Sequence, residues 1–386
     1  MRPRHLVILA SVALVLLAIT VVAVVRSRAE AAWQAMQAAI AAVETELRAQ
    51  PTGRAPLWAE RGPGSAFEWY GRAAAHLPRS DAWLTQVDEA AAASAPPSND
   101  LRDTWQAALS ALRAGATATD VARPLPGRGR ADAPEQVPDW LTLARCAALE
   151  TRALSAGGDG PGAARCWLDA ATFAGDLTHQ GTLLDHALAA TVLVHLCTEL
   201  PETELARLPP EALGLLADGC ARLDATLPAR PDPRVDLLAM AALLQTTATA
   251  PGVVAWRHGF SVRWMVGAAV ADMAEHTRRL ETGADAPWSR RAAQLRAAQA
   301  AVRADDNQLL RMTLPNLLDI EREWRRMRAS LRVLRVSLAL HQGREPPDLA
   351  DPVGGDRIRV DARADGVRIA CAPLDEAEVP TRLFVR

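Results

Sequence analysis

The chain of 386 residues has a formal net charge of -2, with 49% hydrophobic and 23% charged residues, a balance that excludes a disordered or collagen-like chain. Near-neutral charge argues against a protein held on nucleic acid by bulk electrostatics, and no nucleic-acid partner is assigned. The basic side chains are all Arg, with no Lys, and they are spread over every segment, which reads as the codon bias of a GC-rich bacterial genome rather than a phosphate-binding device.

Leu6 to Val25 is a run of Leu, Val, Ile and Ala interrupted only by Ser11 and Thr20. About 20 residues at about 1.5 Å rise cover the roughly 30 Å of bilayer hydrocarbon, so the run is expected to be a transmembrane helix with the lipid bilayer as its partner. It exceeds the apolar stretch of about 7 to 15 residues of a cleaved signal peptide and leaves through Arg26-Ser27-Arg28, which favours a retained signal-anchor. Arg2 and Arg4 before the run nearly balance Arg26 and Arg28 after it. The expected arrangement is a single pass through the bacterial inner membrane, with a short basic tail inside and the body in the periplasm. No Cys near the span offers a lipid-attachment site.

The predicted fold is mainly α: the N-terminal transmembrane helix, a repeat-like, tetratricopeptide-like helical bundle and a small C-terminal β-hairpin. Expected boundaries are 1–28 for tail and span, 29–115 for a helical stalk and N-terminal helices, 116–138 for a linker loop, 139–343 for the main bundle and 344–386 for the hairpin appendix. The linker contains Arg123-Pro124-Leu125-Pro126-Gly127-Arg128-Gly129-Arg130, whose Arg residues read as solvated loop charges, with an anion site as the minor alternative. Leu237 to Trp256 lacks charge over a spanning length, but Gln245, Thr246, Thr247, Thr249, Pro251 and Gly252 interrupt it, so Leu237 to Leu244 is read as a buried helix end followed by a turn. Ala66, Tyr70, Ala73 and Pro78 keep the spacing of the second helix of a tetratricopeptide repeat, and Ala164, Leu168 and Ala171 repeat it. Gly157 to Gly162 is then the turn of a helix hairpin, since a phosphate cradle would need a preceding strand and a following Lys or Ser/Thr.

Catalytic signatures are absent: no HExxH, GxSxG or Walker loop occurs. The nearest thing to a His cluster is His179, His186 and His195. His179 and His186 are two turns apart, roughly 10 Å, too far to chelate one ion alone, and a metal site from Asp176, His179 and Asp185 is the minor reading. Cys146, Cys166, Cys197, Cys220 and Cys371 form no CxxC and read as buried free thiols, with Cys146 and Cys166 offset across their hairpin. No catalytic, cofactor-binding or metal residue is assigned.

Leu317, Ile320, Trp324, Met327, Leu331, Leu334 and Leu338 step by three and four, a heptad seam that wants one partner helix. Packing against Ala293 to Leu310 of the same chain is the first reading and a homodimer through 317–338 the second. Arg322, Arg325, Arg326, Arg328, Arg332 and Arg335 read as its solvated face. Gly343 ends that helix, and Arg357 to Val360 and Val367 to Ile369 alternate around Asp365-Gly366, a hairpin signal.

The stretch Leu338 to Gly343, then Pro347-x-Leu349, then Asp351-Pro352-x-Gly354-Gly355 and a two-strand hairpin, resembles the C-terminal part of type II secretion pseudopilins. It also resembles the tail of larger single-anchor helical proteins of GC-rich bacteria. Asp375, Glu376 and Glu378 do not match the metal-binding end of the pseudopilins, so the resemblance implies fold and envelope location. The expected function is a membrane-anchored, non-enzymatic envelope scaffold for an unknown protein partner, with exposed Trp as contact points. The alternative is an envelope hydrolase whose carboxylates converge in a deep pocket.

Overall fold

The computed structural model describes residues 3–50, 62–93, 95–123, 137–249, 259–281, 283, 285–304, 311, 316–374 and 381–384. Helix starts follow the polar punctuation of the sequence. Ser80 caps α3 (Asp81–Ala92) by accepting from the Trp83 N–H, and Ser98 does the same for the short α4 (Asn99–Asp103). Asp159 caps α7 (Gly160–Leu177), accepting from the Gly162 N–H at 2.9 Å, and Gly158 with φ +84° turns the chain back from α6 (Val137–Ala156). The glycine run is therefore a hairpin turn, as its composition implies. Thr182 and Asp185 form a reciprocal capping box at the start of α8 (Leu183–Thr198).

Together with α2 (Ala66–Ala75), α5 (Gln106–Thr117), the one-turn α9 (Glu202–Leu205) and α10 (Pro210–Thr226), these helices enclose the largest hydrophobic cluster. Ala66, Tyr70 and Ala73 on α2 and Ala164, Leu168 and Ala171 on α7 are all buried, so the small–large–small spacing marks contact faces. Glycine on the facing helix makes room for each large member. A Cβ on Gly115 of α5 would lie 2.3 Å from the Tyr70 ring, and one on Gly219 of α10 would lie 2.3 Å from Leu168. A parallel pair that the sequence did not signal, β1 (Gly62–Ser65) with β2 (Ala118–Asp120), closes one end of this group.

α1 (Pro3–Arg48) is one uninterrupted helix. Its second half is no free stalk: Trp33, Met36 and Leu47 are buried against α11 (Arg234–Thr249) and α12 (Gly259–Glu281). The expected turn after Leu244 is absent, and α11 stays helical to Thr249. Arg234 pairs with Glu46 at 2.9 Å and Leu47 packs on Val235 and Leu238, so α11 begins at the C-terminal end of α1 and runs against it. α12 runs the other way. Its Gly267 meets the backbone of Ala32 and Trp33, while its Thr277 lies beside Pro231 and Pro233 just before α11. α1 and α12 are thus parallel.

The last helices, α13 (Trp288–Arg303) and α14 (Leu317–His341), carry two corrections. Trp324, Met327, Leu331, Leu334 and Leu338 of the heptad seam have no exposed surface, but they lie in the main cluster against α8 and α10, not against α13, which holds the described part of the expected partner Ala293 to Leu310. α13 meets the opposite face, where Ala329, Val333 and Val336 join Trp288 and the C-terminal segment in a second cluster. α14 is apolar on both sides, and these five seam residues are covered by helices of the same chain. Likewise only Arg322 and Arg326 form a solvated face, because Arg325, Arg328, Arg332 and Arg335 are drawn inward to carboxylates and carbonyls.

Gly343, with φ +65°, ends α14, and the Arg344 N–H donates to Ala339 O at 2.9 Å. The Asp-Pro-x-Gly-Gly turn is built on the buried Asp351 carboxylate, which accepts from the N–H groups of Val353 (2.8 Å) and Ala372 (2.5 Å). The expected hairpin forms as β3 (Arg359–Arg363) and β4 (Gly366–Ala370), and β5 (Thr381–Phe384) adds a third antiparallel strand. Arg382 ties β5 to the helices by donating to Leu200 O at 2.7 Å. The outcome is a mainly helical protein with a small three-stranded C-terminal sheet.

A Cβ on Gly267 would sit 2.7 Å from the Ala32 carbonyl carbon, whereas one on Gly71 of α2 meets nothing within 4 Å. Gly267→Val is expected to cost about 1–3 kcal/mol by forcing α1 from α12, and Gly71→Ala to gain about 0.5–1 kcal/mol from helix propensity. Thermal unfolding followed by circular dichroism separates the two.

Candidate functional site

Of the proposed metal ligands Asp176, His179 and Asp185, the two carboxylates are already engaged. Asp176 accepts the Tyr70 hydroxyl, Asp185 serves the α8 capping box and pairs with Arg123 at 2.8 Å, and His186 Nδ1 lies 2.9 Å from Thr182 O. Among the described residues no three His, Cys, Asp or Glu side chains come together as metal ligands. Burial holds His179 and His186 below their ordinary pKa, and the buried Nε2 of each has no hydrogen-bond partner among the described residues. His186 is a core histidine and His179 is half-buried. All five thiols are free and buried, and burial pushes Cys166 and Cys197 up to about 12, which removes them from thiolate chemistry.

Arg123 corrects the reading of the linker. Its guanidinium is buried over the Phe67 ring (4.6 Å) and paired with Asp185, so it locks the chain leaving β2 onto α8. Arg128 and Arg130, the rest of the proposed anion site, lie outside the described residues.

Around the start of α8 the structure gathers charges that sequence reasoning did not connect. Asp236 of α11 accepts from the Leu183 N–H at 2.7 Å, Gln180 donates to Leu47 O at 2.9 Å, and Arg234 joins Asp232 (2.6 Å) to Glu46 (2.9 Å). These contacts fasten the α1–α11–α12 group to the main bundle. Burial raises the Asp236 carboxyl to about 7, and nearby Asp185 and Asp232 push in the same direction.

Two further constellations look chemical and are structural. Asp224 on α10 accepts from Arg328 at 3.0 Å, Arg332 at 3.1 Å and Arg335 at 2.5 Å of α14. Glu202 accepts from Ser337 at 2.6 Å and lies 2.8 Å from His341 Nε2 and 3.2 Å from Arg382. A Ser–His–acid triad needs the imidazole between acid and hydroxyl; here the carboxylate sits in the middle and His341 is bonded to Glu202 rather than to Ser337. The Arg spacing on α14 was legible, but its partner acid lies about a hundred residues away, beyond local pattern. A cleft beside the buried Arg291–Glu321 pair (2.9 Å) has about 20 Å³ of free room, that of a single water.

What the surface does present is apolar. Leu14, Val15, Leu16, Leu17, Ile19, Val21, Val22 and Val24 are each 47–70% exposed, on every side of α1. Residues 3–13 belong to the helix, but their side chains lie outside the described set, and with them the first part of Leu6 to Val25. Among the described residues no helix is long and apolar enough to cross a membrane. Among the described residues Trp33, Trp83, Trp105, Trp140, Trp167, Trp288 and Trp324 are buried, and Trp264 stands out at 48% exposed. No protein-family model matches the chain, and no curated protein or solved structure matches it.

Asp224→Asn leaves three guanidiniums around a neutral amide and is expected to cost about 3–5 kcal/mol, read from chemical denaturation. Native Asp236 keeps its proton to about pH 7, while the unfolded carboxyl loses it near 4, so the native state binds more protons in between and stability falls as pH rises across that window. Asp236→Asn, which retains an acceptor for the Leu183 N–H, should flatten this part of a Tm-against-pH curve.

Proposed function

We propose that the chain is a membrane-anchored, non-enzymatic protein of the bacterial envelope, held by Leu6 to Val25 in the inner membrane with its helical body in the periplasm. The observation that carries this is the sleeve of outward-facing Leu, Val and Ile from Leu14 to Val24, continuous with a helix whose next half is buried in the body. A helix apolar on all sides belongs in lipid, because water would meet several hundred Å² of hydrocarbon there. Arg26 and Arg28 follow where phosphates would meet them.

A scaffold role is supported by what the carboxylates do. Glu150, Asp176, Asp185, Asp224 and Glu321 each hold two elements together. The hairpins of the main bundle, tetratricopeptide-like in their small–large–small spacing, would offer helix faces to a protein partner, and the C-terminal sheet carries the pseudopilin-like turn.

Alkaline carbonate extraction of cell membranes tests the anchor: the chain should stay in the pellet, and Leu16→Arg with Val21→Arg should release it, each Arg costing about 2.5–3.5 kcal/mol near mid-bilayer. Recovery of the unaltered chain in the supernatant would end the anchored reading. Digestion of a C-terminal tag in intact spheroplasts is the expected result for a periplasmic body, whereas protection until lysis would place the body in the cytoplasm.

A further inference from the structure

We propose that the start of α12 is seated in the headgroup layer of the bilayer that takes α1, with Trp264 as its interfacial anchor, so that the body meets the membrane at two helices. The inference rests on the anchored reading and adds to it a second contact and a fixed height for the body. Its basis is position along two parallel helices. Gly267 of α12 is packed on the backbone of Ala32 and Trp33, which fixes the two helices in register there. Trp264 lies three residues nearer the N-terminus, about 4.5 Å along the axis, and Val25 lies seven residues back from Ala32, about 10 Å. Trp264 is therefore about 6 Å below the last apolar residue of the span, and the headgroup layer is about 5–7 Å thick on each side.

The chemistry at that height suits the layer. Trp264 and Met265 are 48% and 46% exposed, while their neighbour Val266 is buried. Arg26 and Arg28 on α1 are exposed at the same end, and the guanidinium of Arg263 lies 5.5 Å from the centre of the Trp33 ring. An exposed indole with its apolar body and single N–H donor, at the end of the body where α1 carries exposed Arg26 and Arg28, is the composition found where hydrocarbon gives way to phosphate. Among the described residues, Leu84, Leu184 and Leu243, the other large exposed apolar side chains of the helical body, stand on separate helices.

The test uses the full chain in vesicles of phosphatidylethanolamine and phosphatidylglycerol. The native thiols are buried, so a bimane label goes to a cysteine introduced in Leu17→Cys, Trp264→Cys or Asp361→Cys. Lipids spin-labelled at the headgroup or deep in the acyl chain serve as quenchers. The expected result is loss of emission at 17 to the deep quencher, at 264 to the headgroup quencher, and at 361 to neither. Quenching at 17 with 264 behaving like 361 would overturn this inference and leave the anchor standing. No quenching at either 17 or 264 would overturn the anchor and this inference with it. Should Trp264→Cys lose its helical circular dichroism, Met265→Cys probes the same height.

Discussion

One carboxylate, Asp224, holds three guanidiniums of α14 in a place largely shielded from water. A buried ion pair is stable only when every charge finds partners, and a single acid cannot balance three cations. The remainder comes from the backbone. Asp224 lies in the last turn of α10, and Arg328 also donates to Asp224 O, one of the carbonyls that an α-helix leaves unpaired at its C-terminus, and to Leu227 O and Pro228 O just beyond it. The negative end of the α10 macrodipole thus supplies what one carboxylate lacks. Arg332 extends the same fastening by donating to Ala350 O at 2.7 Å, so α10, α14 and the C-terminal segment share one electrostatic joint.

That joint explains why α14 can be apolar on two opposite faces. One face fills the main cluster with Trp324, Met327, Leu331, Leu334 and Leu338, and the other meets α13 and the sheet through Ala329, Val333 and Val336. The arginines occupy the strip between. Their aliphatic stems cross apolar ground while their heads reach carboxylates and carbonyls, which lets a helix with a strongly basic sequence serve as a core element. Removal of the heads from water is what turns the strip into a directional contact.

The parts of the fold that were legible in the sequence are those decided within a few residues. The Gly158 turn, the Gly343 stop and the hairpin at Asp365-Gly366 follow from backbone permissiveness and local hydrogen bonding, and each sits where the sequence puts it. The seam of α14 was legible as a seam, yet its partner was not, because a step of three and four says that a face is buried and not against what. Arg123 and the α14 arginines were misread for the same reason: a guanidinium looks solvated until its acid, Asp185 or Asp224, arrives from a distant segment. β5 escaped because Thr381 to Phe384 is too short to carry a period of its own. The carboxylates that fasten the helices, among them Asp236 and Glu202, carry no local mark that distinguishes them from surface acids.

The pairing of α1 with α12 sets an order of events during synthesis. Trp33, Met36 and the backbone at Ala32 leave the ribosome roughly 230 residues before Gly267 does, a gap of about 10 to 50 s at ordinary elongation rates. Until α11 emerges, roughly 200 residues after Trp33, the apolar side of α1 lacks the helices that cover it, and its contact with α12 is among the most distant in sequence that the protein contains, hence among the slowest to close. The first helix made is therefore among the last to be covered, and the main bundle can condense around Tyr70, Trp167 and Phe173 while α1 still waits.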